Sequence, residues 1–331
     1  MPSIDKTKIP HILISRTDAI GDVVLTLSMA AYIKELIPGA VISFLGRTYT
    51  QPVIAACTAV DGFINYDDIR KLPESAQADY LRDKNIDVII HVFPNKHVAA
   101  IARNAGIRLR IGTTNRLYHW FTCNKLVKLS RKKSDLHEAQ LNLILLKPLG
   151  LTYVPSLKQV IDHYSFERTV QLPAPLANIL AKDKFNLIIH PKSHGSGMEW
   201  GLGNFAGLIG ELSTGKFNII ITGSEKEKLL LSEWVMTLPG NVTDMSGKMT
   251  LPELIAFIFN ADGLLASGTG PLHIAAAAGI NTLGLFPVQR PIHPGRWAPL
   301  GEKSGFLEST VDNLNSITIA MVAAKINTWN K

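Results

Sequence analysis

Short apolar runs alternate along this chain with stretches whose apolar residues recur at helical spacing. The runs "HILIS" (11–15), "AVISFLG" (40–46), "IDVIIHVFP" (86–94) and "RLRIGT" (108–113) read as strands. Between and after them, residues 22–39 and 135–150 carry helical patterns, the first closed by Pro38–Gly39 and the second by Pro148 and Gly150. Strands alternating with helices predict a parallel, doubly wound sheet. Residues 169–184 hold two prolines and no strand pattern, and the chain then starts again. "FNLIIHPKSHGSG" (185–197) repeats the plan of "HILISRTDAIGD", an apolar strand running into a polar, glycine-containing turn. "FNIIITGS" (217–224), "DGLLASGTG" (262–270) and "TLGLFP" (282–287) continue a second sheet. The pattern predicts an α/β protein of two Rossmann-like domains, residues 1–170 and 171–331, with a C-terminal helix expected to return to the first.

Ligands of such sheets bind beyond the carboxyl ends of the strands. The polar turns at 15–22, 190–197, 223–227 and 266–273 all have that position and are expected to line one interdomain cleft. Composition agrees with a packed two-domain protein: 331 residues, 46% hydrophobic and 18% charged. No run of about 18 apolar residues predicts a membrane span. The start reads as a first strand and not as a signal peptide. Cys57 and Cys123 are the two cysteines, expected as reduced thiols in a cytoplasmic protein.

The net charge of +7 is concentrated. Residues 88–134 contain no Asp or Glu and hold ten of the 34 basic residues, among them Arg103, Arg116 and Lys125. Such a window is either a solvated face or the footprint of an anionic partner. Tyr118, Trp120 and Phe121 are interleaved with it, but no nucleic-acid recognition motif accompanies them, so nucleic acid is the weaker choice.

Motifs narrow the chemistry. G-x-G-x-x-G after the first strand, the P-loop pattern and G-x-S-x-G are all absent, which disfavours NAD, P-loop and α/β-hydrolase chemistry. His190 and His194 are four apart, but Pro191 and nearby glycines forbid the helix that would align them on a metal. No D-x-D is present to hold a metal–diphosphate. Asp22 follows Gly21 at the mouth of the first strand. It reads either as an acid stabilised by a helix dipole or as a general base aimed into the cleft. In "ASGTGPLHIAAAAG" (266–279), Gly268, Thr269 and Gly270 lead into a helix with Pro271 in its first turn. This is either a tight strand-to-helix connection or an anion site made of helix N–H groups.

"ISRTDAIGDVVLTL" and "SGTGPLHIAAAAG", with "HPKSHGSGMEWGLGNFAGLI", "ITGSEKEK" and "GKMTLPELIAFIFNADGLL" in the same order, resemble the ADP-heptose:lipopolysaccharide heptosyltransferases over almost the whole chain. The resemblance implies the GT-B fold and metal-independent, inverting transfer of heptose to the Kdo and inner-core region of lipopolysaccharide, with no cofactor. It implies Asp22 as the base. It implies Gly268, Thr269, Gly270, Pro271, Leu272 and His273 as the diphosphate-binding turn, with Lys192 and Ser193 in the polar loop that also meets phosphate. Glu227 matches the acid on the ribose hydroxyls, ahead of Glu225, and Met249 a residue against the adenine. Arg103, Arg116 and Lys125 would then face a Kdo-lipid A or inner-core acceptor, and the protein would sit peripherally on the cytoplasmic face of the inner membrane.

Two positions depart from the family. Met198 stands where many members carry Lys, leaving Lys192 as the nearest replacement charge, and Gly268 stands where many carry Asp or Asn. These departures leave the donor open within the nucleotide sugars; the alternative is a glycosyltransferase of the same fold using another nucleotide sugar or a protein acceptor. A nucleotide-sugar epimerase would need further cleft carboxylates, and a non-catalytic binding protein would have no use for Asp22.

Overall fold

A computed structural model describes residues 9–167, 170–193, 195 and 197–331. The chain divides into two compact units between residues 168 and 169. Those two junction residues, next to the expected boundary at 170, lie outside the described residues, as do His194 and the first eight residues.

The first unit is built on six parallel strands: β1 (His11–Ser15), β2 (Val41–Gly46), β3 (Gly62–Asn65), β4 (Val88–His91), β5 (Leu109–Thr113) and β6 (Lys125–Val127). Their order is β3-β2-β1-β4-β5-β6. The second unit has β7 (Phe185–His190), β8 (Phe217–Ile221), β9 (Val242–Asp244), β10 (Gly263–Ser267), β11 (Asn281–Phe286) and β12 (Ser304–Glu308). Their order, β12-β11-β10-β7-β8-β9, is the same arrangement repeated. Both sheets are parallel throughout, and their central strands are apolar on both faces because helices cover both sides. In each sheet the strand order reverses beside the first strand, between β1 and β4 and between β7 and β10. These are the switch points where connections diverge and leave a crevice at the carboxyl ends.

The helix expected at 22–39 runs Ile20–Leu36 and puts Asp22 in its first turn. The single helix expected at 135–150 is instead Glu138–Leu143 followed by a 3-10 segment, Ile144–Leu149. Pro148 lies within that segment and has no N–H to continue an α-helix. Gly150, at φ 114°, terminates it in the left-handed region. The C-terminal helix Ile319–Asn327 packs within the second unit. Val322, Ala323 and Ile326 pack with Phe205, Leu208 and Ile209 in the core of the second unit. Trp200 Nε1–H donates to the Ile317 carbonyl at 2.8 Å just ahead of it, and Trp329 stacks on Phe185 just after.

Both cysteines are buried and unbridged. Among the described residues no helix is long and apolar enough to cross a membrane.

Candidate functional site

At the carboxyl end of β1 the chain turns through residues 16–19 into the helix bearing Asp22. The Asp22 carboxylate does not cap that helix; it pairs with the guanidinium of Arg16. Arg16 is only 3% exposed and fully engaged. Its Nε donates to Asp18 at 2.9 Å, and its Nη1 donates to Asn142 at 3.0 Å and to Glu138 at 3.2 Å. Glu138, itself buried, also accepts from Arg131 Nε at 2.9 Å. One guanidinium thus gathers three carboxylates, and a second guanidinium holds the farthest of them. A buried charge cluster of this kind is tolerated only when each member is paired. Burial, aided by Asp18 and Glu138, pushes the Asp22 carboxyl up to about 6 against the pull of Arg16. A carboxyl poised there accepts a proton efficiently near neutral pH. Asp22 is thus an ion-paired acid with a raised carboxyl pKa at the carboxyl end of β1.

In the second unit four loops meet at the carboxyl ends of β10, β7, β8 and β9. The turn after β10 enters the helix Gly270–Ala277, whose Thr269 N-cap position has extended backbone and no side-chain cap. Thr269 Oγ1 and Ser267 Oγ are buried without a hydrogen-bond partner. Such atoms are costly unless something hydrogen-bonds them. The Leu272 side chain is fully buried, so that residue can offer a ligand only its backbone. His273 is also buried. A Cβ on Gly268 would lie 3.1 Å from the Phe286 ring, which fills the space that a larger residue there would take. The loop after β7 closes against this turn: a Cβ on Gly197 would come within 2.8 Å of the Gly268 carbonyl.

Lys192, expected to supply phosphate charge, pairs with Glu199 Oε2 at 2.7 Å. Ser193 is likewise engaged, donating its N–H to Glu199 Oε1 at 3.1 Å and its hydroxyl to the Gly197 carbonyl at 2.7 Å. Burial works against the Glu199 charge, yet Lys192 and the Ser193 N–H hold its carboxyl below the usual range. Glu227 is buried and accepts from the Ser224 N–H at 2.7 Å in a capping box, with His190 Nε2 3.7 Å away. Burial keeps His190 below its ordinary range, with Glu227 pulling the other way. Met249, half-buried, follows the turn whose Gly247 N–H donates to the Gly223 carbonyl at 2.8 Å. The donor residues expected from the sequence are therefore collected on neighbouring loops of one unit.

The basic window is not one surface. The helix Lys96–Asn104 starts at the carboxyl end of β4 and runs back, so Arg103 sits at the amino ends of the strands, as does Arg108, which lines a cavity of about 240 Å³ there. Arg116, on the turn after β5, lies at the Asp22 end of the sheet and is exposed. Lys125 opens β6 beside Ile111 and is half-buried. Only part of the expected acceptor set thus shares an end with Asp22.

Sequence reasoning missed Arg16, Glu138 and Glu199. For Arg16 a signal was present: a lone basic residue at a strand mouth with acids two and six positions on. Glu138 and Glu199 are single acids in polar stretches, with nothing local to mark them.

The family model for glycosyltransferase family 9 (heptosyltransferase) matches residues 76–323. The chain belongs to glycosyltransferase family 9. A lipopolysaccharide heptosyltransferase 3 of Escherichia coli K12 is 25% identical over 285 residues, covering 80% of this chain and 79% of that one. Among solved structures, a family 9 glycosyl transferase from Veillonella parvula superposes with a TM-score of 0.81 at 16% identity, covering 98% of each chain. The Escherichia coli heptosyltransferase WaaC with ADP superposes with a TM-score of 0.73 at 18% identity, covering 96% of this chain and 99% of that one. The two six-stranded parallel sheets are thus the α/β, GT-B architecture of the heptosyltransferases, and the chain is a glycosyltransferase of that family.

Proposed function

We propose that this family 9 enzyme transfers heptose from ADP-heptose to the Kdo or inner-core region of lipopolysaccharide, with inversion and without a metal. The observation that carries this reading is Asp22: an acid at the switch point of the first sheet, paired with a buried arginine and poised near neutral pH. Asp22 takes the proton from an acceptor hydroxyl as that oxygen attacks the anomeric carbon. The bond to the diphosphate breaks on the opposite face, and ADP leaves with the electron pair. A single displacement inverts the centre.

The second unit holds the donor. The uncapped start of the helix Gly270–Ala277 and the Thr269 and Ser267 hydroxyls meet the diphosphate, where N–H groups and the helix dipole favour negative charge. Glu227 and Met249, on the adjoining loops, serve the ribose and adenine. Arg116, exposed at the Asp22 end, attracts the anionic acceptor at the cytoplasmic surface of the inner membrane.

The test is a mass-spectrometric transfer assay with ADP-heptose and Kdo-lipid A, run with and without EDTA. A product heavier by one heptose in both conditions supports the reading. Transfer that needs magnesium, or transfer only from another nucleotide sugar, contradicts the corresponding part.

A further inference from the structure

Three large apolar side chains stand out from the first unit at one place. Leu117 is 78% exposed, Phe121 68% and Trp120 59%. They belong to the connection between β5 and β6, a turn at 114–118 and the one-turn helix His119–Thr122. Because β5 runs parallel to β1 into this connection, the turn bearing Leu117 lies at the same end of the sheet as Asp22, and Trp120 is tied to that turn through the Thr114 carbonyl.

The connection is braced from beneath. His119 is fully buried and accepts the Thr113 N–H at 2.9 Å, and the Tyr118 ring packs edge-on against it at 4.7 Å. Thr122 Oγ1 donates to the Tyr118 carbonyl at 2.8 Å. Trp120 Nε1–H donates to the Thr114 carbonyl at 3.1 Å, so its one polar atom is satisfied within the connection. What faces outward is hydrocarbon and ring. Tyr118 packs against His119, and Leu117 and Phe121 take the exposed positions.

The surroundings are cationic. Arg116 adjoins Leu117, and Lys128, Lys132 and Lys133 follow β6 at the same end, all of them exposed. No Asp or Glu occurs from residue 88 to residue 134. A second copy docking through this face would bring like charges together. An anionic bilayer complements both features, the cations pairing with headgroups while the apolar tips enter the acyl boundary.

The geometry points to Leu117, Trp120 and Phe121 as a wedge that inserts into an anionic lipid bilayer, holding the Asp22 end of the first unit toward the membrane. The inference deepens the proposed function, which places the acceptor in a membrane, but its support is exposure and charge and not the reaction.

The test mixes the full chain with vesicles of phosphatidylcholine alone or with phosphatidylglycerol added. The protein is expected to sediment with the anionic vesicles, with a blue shift in tryptophan emission that is absent in Trp120→Phe. The Leu117→Ser/Phe121→Ser variant should partition about tenfold more weakly or worse, since each side chain carries enough apolar area for that change. Its turnover on a delipidated, water-soluble acceptor should match the parent chain. No binding to anionic vesicles, or equal binding by the double variant, would overturn the wedge. So would a parent dimer in light scattering that the variant abolishes, because the occupant would then be a second copy. Vesicle binding that persists while no acceptor is glycosylated would overturn the reaction and leave the wedge standing.

Discussion

The mouths of β1 and β10 are made of opposite materials. At β1 the chain concentrates charge, with Arg16, Asp18, Asp22, Glu138 and Arg131 linked by ion pairs. At β10 it offers Gly268, Thr269 and Gly270, two buried hydroxyls without partners and the uncapped start of a helix. Both lie at the carboxyl end of a strand at the switch point of the same topology. On the proposed function, the two mouths suit one architecture to two tasks. A group that must gain and lose a proton needs neighbours that set its affinity for that proton, so it is embedded among charges. An anion that must arrive and leave is better met by backbone N–H groups, which are fixed in place and need no counter-charge of their own.

The largest expected effect breaks the first of these tasks. Asp22→Asn should lower kcat about a hundredfold or more, the scale for losing a general base, while ADP binding measured by calorimetry stays within about twofold. Turnover near that of the parent chain would make Asp22 a structural acid. A smaller effect separates the second task. Gly197→Ala places a Cβ against the Gly268 carbonyl and should raise the donor KM about tenfold with a lesser change in kcat, since displacement of a positioning loop acts first on alignment. An unchanged donor KM would show that this loop does not shape the donor site.

Two finer tests sharpen the comparison. Glu138 raises the Asp22 pKa and shares Arg16 with it. Glu138→Gln removes a negative charge, so Asp22 should ionise more readily and the acid side of the pH–rate profile should move to lower pH. Thermal stability should fall at the same time, by up to about 3 kcal/mol, because the buried Arg16 and the half-buried Arg131 lose a shared carboxylate. A limb that stayed in place would detach Glu138 from the base. The smallest effects concern the basic window. Arg116→Ala should raise acceptor KM about twofold to threefold at low salt, fading as the Debye length falls to about 8 Å. Arg103→Ala, at the other end of the strands, should leave it unchanged. Equal effects from the two would mean that the acceptor is attracted by overall charge.

Much of this was legible in the sequence because interior parallel strands are buried on both faces and read as continuous apolar runs. β1, β2, β4, β7, β8, β10 and β11 all announced themselves in that way; β5, with Arg110 inside it, showed only Leu109 and Ile111 on either side. The edge strands did not: "GFIN", "KLV", "VTD" and "SGFLE" are short and partly exposed, so no apolar run marks them. Asp22 and the 266–273 turn were visible because a strand, a glycine and a helix start follow one another along the chain. Arg16 left a signal in the acids two and six positions on, but a basic residue after an apolar run reads as solvent-facing until those partners are seen to converge. Counting charge along residues 88–134 also could not show that a strand-and-helix unit folds back on itself and sends Arg103 to the far end. The engagement of Lys192 by Glu199 depends on a loop whose course no local pattern dictates.

The central claim is that Asp22 is the base and that its surroundings set its affinity for the proton. The pH dependence of kcat/KM for the acceptor, from about pH 5 to about pH 8, tests it directly in the parent chain and in Asp22→Asn. A base must be ionised to act, and burial raises this carboxyl to about 6, so the rate should fall as pH drops through about 6 and level off above it. In Asp22→Asn that fall should disappear, leaving a low and flat rate. A parent profile that stays level down to about pH 5, or an Asp22→Asn profile that keeps the same fall, would contradict the account.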